Sequence, residues 1–87
     1  MNNSHNLIRQ NLHRRLQQVF QDVFDNQSIV LNEATTAQDI KNWDSLMHVT
    51  LVLAVEREFC IRLDAAEIGQ LQNVGKMLDL LESRGIC

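Results

Sequence analysis

Apolar residues recur every four positions near the start of the chain: Ile8, Leu12, Leu16, Phe20 and Phe24, with Val19 and Val23 beside them. That spacing predicts an amphipathic helix from about Asn6 to Asp25, preceded by a polar, flexible N-terminus over residues 1–5. Arg9, Arg14 and Arg15 fall off the stripe, on the face expected to be solvated. Residues 26–43 carry no helical period. Ile29-Val30-Leu31 has strand-like composition but no partner strand nearby, so it reads as a loop with Ile29 and Leu31 tucked into the core. Thr35 to Ile40 is long enough for one helical turn. A connection of this length inside a compact domain is unusual and often functional.

The period returns at Ser45 and runs to Phe59, with Asp44 or Ser45 as the cap. At about 100° per residue, Leu51, Val55 and Phe59 share one side with Val52 beside them, while Leu46, Val49 and Leu53 form a second stripe. Periodicity leaves two readings of that second stripe open. Either the long loop folds over it, or it stays at the surface as a contact patch. Ile61-Arg62-Leu63 reads as a short extended link with Ile61 and Leu63 turned inward. Asp64-Ala65-Ala66-Glu67 has capping-box spacing and predicts a short helix to about Leu71. Asn73 then caps a last helix with Val74, Met77, Leu78 and Leu81 on one face, and Gly85 stands where a helix commonly stops. The fold class is therefore all-α: a four-helix bundle with a long loop between helices 1 and 2, a short third helix, and a single domain over residues 6–85.

Composition narrows the function without naming it. With 45% apolar residues, three glycines and no proline, the chain suits a helical globular domain rather than a disordered or turn-rich one. The net charge of −3 argues against a nucleic-acid partner. No apolar run is long enough to span a bilayer, and the N-terminus lacks the apolar core of a signal peptide. Cys60 and Cys87 make neither a metal-ligand spacing nor a disulfide framework, which leaves Cys60 as a small buried filler, Cys87 as an exposed terminal thiol, and a cytoplasmic location as the expectation.

The segment Trp43-Asp44-Ser45-Leu46 stands at the entrance of an apolar helix that ends Glu56-Arg57-Glu58-Phe59. It follows a long loop and precedes the Ile61-Arg62-Leu63 link and a short helix. In that order these features resemble the acyl carrier protein family, over roughly residues 7–84. The resemblance implies a 4′-phosphopantetheine arm, taken from coenzyme A and attached to Ser45, with Asp44 and Leu46 as motif neighbours. It implies a freestanding monomeric carrier with no catalysis of its own. The partners it implies are a phosphopantetheinyl transferase, an acyl-loading enzyme and a downstream acyltransferase or synthase. The helix after the modified serine is the family's docking surface, which maps here to Leu46, Met47, Val49, Thr50 and Leu53. Met47 and Thr50 stand where many fatty-acid carriers have acids, Arg57 interrupts the acidic ending, and the net charge is mild. The resemblance is therefore to a specialised carrier rather than the general fatty-acid one.

Read without the resemblance, Ser45 is a plain cap, and the chain is a helical interaction module with no covalent cofactor. An aminoacyl or peptidyl carrier is a further alternative, although those usually have glycines where this chain has Asn42-Trp43. A helix-turn-helix DNA binder using Arg9, Arg14 and Arg15 lacks the tight turn and the charge. Ser45 has no Gly-x-Ser-x-Gly elbow and no evident triad partners, and His5, His13 and His48 are scattered without ligand spacing. His48 falls on the Leu51/Val55 side near the mouth of the bundle. It is either a contact for the arm and its cargo or a core-edge histidine bonded to a loop carbonyl. Trp43 is expected to pin the helix entrance, as part of a hydrophobic staple.

Overall fold

A computed structural model describes residues 4–69, 71 and 73–84, with side chains described from residue 7 onward. Its helices are α1 (Ser4–Val23), α2 (Ser45–Phe59), α3 (Ala65–Gly69) and α4 (Val74–Ser83), and no strand forms among the described residues. Helix α1 packs against both α2 and α4. The core is one cluster in which Leu12, Leu16 and Phe20 of α1 meet Leu51, Val55 and Phe59 of α2 and Val74, Leu78 and Leu81 of α4. Fully burying each such side chain is worth about 1.5–3 kcal/mol. Ile8 departs from the expected stripe: at the N-terminal end of α1 it is 54% exposed.

The long loop is held where it crosses α1 by two inserted side chains and by hydrogen bonds from α1 side chains to its backbone. Ile29 and Leu31 are buried while Val30 between them is exposed, as alternation in an extended segment requires. A ladder on α1 with period four serves the loop backbone. His13 Nε2 bonds the Leu31 carbonyl at 2.7 Å, Gln17 Oε1 accepts from the Leu31 N–H at 2.9 Å, and Gln21 Nε2 donates to the Ile29 carbonyl at 3.0 Å. Buried backbone groups need such partners. The ladder lies beside the apolar stripe, on positions that hydrophobic periodicity alone passes over.

Farther along, the loop is stitched to the start of α4. The Val74 N–H donates to the Thr35 carbonyl at 3.0 Å and the Gly75 N–H to the Glu33 carbonyl at 2.9 Å, and Thr36 makes an isolated antiparallel bridge with Asn73. Gly75 permits this approach: a Cβ there would sit 3.0 Å from the Glu33 carbonyl oxygen. The segment expected to make a helical turn makes a hydrogen-bonded turn, with the Asp39 N–H on the Thr36 carbonyl and Asp39 Oδ2 accepting from the Thr36 N–H.

Two arginines expected to be solvated are structural. Arg9 reaches Glu33 of the loop at 2.9 Å, Asp79 at 3.0 Å and Glu82 at 3.1 Å, joining α1, the loop and α4. Arg15 lies 4.5 Å over the Phe59 ring and donates to the Glu58 carbonyl at 2.8 Å, so it satisfies one of the free carbonyls at the end of α2. Arg14 remains exposed.

The C-terminal elements follow their capping signals. Asp64 and Glu67 exchange side-chain-to-backbone bonds at 2.8 and 3.1 Å, a capping box with aspartate in the hydroxyl role. Helix α3 ends at Gly69, short of the expected Leu71. Asn73 caps α4 through the Lys76 N–H at 2.8 Å. The expected stop at Gly85 lies outside the described residues, as does Cys87. Cys60 corrects the expectation of a buried filler. It is exposed, disulfide-bonded, and ends α2 in the left-handed region at φ 57°, with its N–H on the Glu56 carbonyl.

Hydrogen bonding to Arg9 holds the Glu33 carboxyl below its ordinary pKa, and bonding to Glu33 and Asp79 raises Arg9 against the cost of its own desolvation. A depressed carboxylate stabilises the fold above its unfolded pKa and loses that contribution as pH falls through the folded value. Thermal melts of wild type and Arg9→Gln across the acidic range should show a wild-type advantage near neutral pH that shrinks steadily below about pH 4. A gap that is constant with pH would place the value of Arg9 in packing instead.

Candidate functional site at the head of helix α2

The entrance to α2 is built residue by residue from Asn42. Asn42 adopts φ 74°, a left-handed turn that asparagine tolerates better than most residues. The turn delivers Trp43 into the bundle. Its ring is buried, edge-on to Phe20 at 5.2 Å between centroids and tilted against Phe24 at 6.2 Å. Trp43 precedes the cap and His48 is the fourth helical residue, so the two occupy the positions of a hydrophobic staple. They stack at 5.9 Å with 17° between their planes, and the Trp43 indole N–H donates to His48 Nδ1 at 3.1 Å. The expected loop carbonyl is thus replaced by an indole as the partner of His48. Because an indole N–H only donates, Nδ1 is the acceptor, and the proton of the neutral ring belongs on Nε2.

Asp44 settles which residue caps. Its backbone is extended, and Oδ1 accepts the Met47 N–H at 2.9 Å while its carbonyl accepts the His48 N–H at 2.8 Å. Ser45 is the first helical residue, its side chain is exposed, and its Oγ has no hydrogen-bond partner among the described residues. The plain-cap reading of Ser45 therefore loses its basis. The amides of Ser45 and Leu46 are left at the positive end of the helix, where an anion is favoured.

Beside Ser45 lies an open groove of about 720 Å³. Its walls bring Trp43, Asp44, Ser45 and His48 together with Thr36, Ala37 and Gln38 of the loop and Ile68, Gly69 and Leu71 around α3. The loop and α3 walls are absent from the sequence-level site. Their one local signal is the Thr36-x-x-Asp39 turn, which sets the loop's path. The void between Leu51, Val52, Val55, Ile61, Met77 and Leu81 is about 10 Å³, at the bottom of the roughly 10–15 Å³ that one water needs.

The two stripes of α2 separate as different surfaces. Leu51, Val52, Val55 and Phe59 are at most 4% exposed, whereas Leu46, Val49 and Leu53 are 76%, 57% and 55% exposed. The loop does not cover the second stripe. Thr50 is exposed and Met47 half-buried along the same surface. Among the described residues no group of His, Cys, Asp and Glu is arranged to hold a metal, and no helix is long and apolar enough to cross a membrane.

No family model matches the chain, and no curated protein does. Among solved structures, the solution NMR structure of the holo acyl carrier protein from Geobacter metallireducens is similar to it. The two share 40% sequence identity over 79% of each chain, with a TM-score of 0.75. The helix order, the long first loop and the short third helix are thus accompanied by sequence likeness across most of both molecules, and the chain belongs to the acyl carrier protein family.

Proposed function

We propose that this chain carries an acyl group on a 4′-phosphopantetheine arm attached to Ser45, and delivers it to partner enzymes of a specialised biosynthetic pathway in the cytoplasm. The observation that carries the reading is the division of labour at the head of α2. Asp44 does the capping, so the Ser45 hydroxyl is exposed and has no structural task. The residues fit such an arm. Ser45 Oγ would form the phosphodiester, the first amides of α2 would face its negative charge, and the adjoining groove gives the arm a polar and apolar bed. When bound, the arm supplies a thiol that holds the acyl group as a thioester. In the attachment Ser45 Oγ loses its proton and bonds to phosphorus as the pyrophosphate linkage of coenzyme A breaks, releasing adenosine bisphosphate. A phosphopantetheinyl transferase supplies the base and the metal, and Asp44 is the acid placed beside the hydroxyl to meet them. The remaining chemistry belongs to the acyl-loading enzyme and the downstream acyltransferase or synthase.

The docking surface is the exposed apolar stripe. Leu46, Val49 and Leu53, with Met47 and Thr50 between them, present a face of α2 without charge. Partners would meet it through apolar contact rather than through the charge steering that accelerates encounter between oppositely charged surfaces. An interaction module without a cofactor would use the same stripe, so the arm itself separates the two readings.

Incubating the chain with coenzyme A and a broad-specificity transferase should add one phosphopantetheinyl group, and peptide mapping should place it on Ser45. The competing serines are poor sites: Ser83 Oγ already donates to the Leu80 carbonyl at 2.7 Å, and Ser28 lies in the loop. A Ser45→Ala variant that still gains the group would refute the assignment.

The stripe makes a separate prediction. Val49→Ser should leave the thermal midpoint nearly unchanged while slowing loading by the partner enzyme. The equivalent Val55→Ser, at a position 4% exposed, should destabilise by about 2–4 kcal/mol. Equal losses of stability would make the second stripe core.

A further inference from the structure

Given an arm on Ser45, the remaining question is where its cargo rests and what chemistry it has. Two spaces compete. The interior void of about 10 Å³ is lined by apolar side chains alone, and Leu71 separates it from the groove. An alkyl chain gains about 0.8 kcal/mol per buried CH₂ only after α2, α4 and the link after α2 move apart. The groove of about 720 Å³ is already open and already includes Ser45 in its wall.

The wall of the groove is selective. Most of its surface is apolar, from Ala37, Trp43, Ile68 and Leu71, which suits a short carbon chain. Thr36, Gln38 and His48 supply hydrogen-bonding groups, and Asp44 is the single charged residue among its lining side chains. His48 is more than a polar surface. Its Nδ1 is occupied by the Trp43 indole N–H at 3.1 Å, and its ring is stacked on that indole, itself wedged against Phe20 and Phe24. The ring orientation and tautomer are thereby set, and Nε2–H has no partner among the described residues. A neutral donor held rigidly at the wall of a groove costs little further ordering when it meets an acceptor. With one carboxylate and no lysine or arginine among the described lining residues, an anionic cargo would meet like charge there and no countercharge.

We propose that the groove beside Ser45, and not the bundle interior, receives the cargo, and that the cargo is a short, neutral acyl group with a hydroxyl or carbonyl near the thioester that accepts a hydrogen bond from His48 Nε2–H. Trp43 acts through His48 as its positioning residue. The proposal rests on the carrier reading and extends it to a substrate class.

The test charges the full chain from hydroxybutyryl-, malonyl- and octanoyl-coenzyme A with a promiscuous transferase, and mass spectrometry confirms one group on Ser45 before any spectrum is taken. Absence of that group would defeat the carrier reading itself. With the group present, nitrogen-15 NMR against the holo form tests the cargo site alone. The hydroxybutyryl form should shift the His48 Nε2 and Trp43 Nε1 resonances and the amides of Thr36, Ala37 and Gln38, which line the groove and not the interior void. The methyl groups of Val52, Val55 and Leu81 should stay in place for all three cargoes. His48→Phe keeps a stacked ring without nitrogen and should abolish the hydroxybutyryl-dependent shifts. His48→Gln offers both an acceptor and a donor and should restore part of them at an unchanged thermal midpoint. Unmoved groove resonances in the wild-type hydroxybutyryl form would overturn the proposal. So would core methyl shifts that dominate with octanoyl, or groove shifts with malonyl as large as those with hydroxybutyryl.

Discussion

The bond between the Asp44 carboxylate and the Met47 N–H at 2.9 Å is the constraint from which the rest of the site follows. A helix start must satisfy some of its first amides, and a capping side chain is worth about 1 kcal/mol in doing so. Because Asp44 takes that task, Ser45 becomes the first helical residue and keeps its hydroxyl outside. Trp43 falls one position before the cap, where it packs inward on Phe20 and Phe24 and backward on His48. Moving the cap one residue later, to Ser45, would engage the hydroxyl and shift the staple out of register. One aspartate thus decides both the exposure of the serine and the anchoring of the wall beside it.

The groove depends on a second constraint, the course of the long loop. Eighteen aperiodic residues, 26–43, would be a poor wall if they moved freely. The His13, Gln17 and Gln21 ladder fixes their first part on α1, and the backbone bonds to Val74 and Gly75 fix their middle on α4. Arg9 adds an ionic clasp across the same elements. The loop then arrives opposite α3, and Thr36, Ala37 and Gln38 come to face His48 and Ile68 across the groove.

Much of this was legible in the sequence because it obeys local rules. The four-residue stripe from Leu12 to Phe20, the Asp64–Glu67 capping box and the Asn73 cap are each written within one or two turns of chain. Ser45–Phe59 was readable as a helix, and its second stripe as a possible surface. What was not legible depends on contacts between distant segments. Arg9 and Arg15 read as solvated because their carboxylate and aromatic partners lie far along the chain. The roles of His13, Gln17 and Gln21 leave no trace in side-chain pattern because their partners are backbone atoms. The partner of His48 lies only five residues away, but the spacing of Trp43 and His48 carries no sign that a donor-only indole sets the imidazole's tautomer. The identity of Cys60 suggests burial, whereas it ends α2 in the left-handed region and is exposed.

The covalent state of Ser45 is the central claim, and a proton–phosphorus correlation spectrum of the transferase-treated chain reads that bond directly. One phosphodiester resonance is expected, with a through-bond correlation to the Ser45 Cβ protons, while the Met47 amide keeps the signature of its bond to Asp44. A correlation to the Cβ protons of any other serine, or none at all after exhaustive treatment, would contradict it.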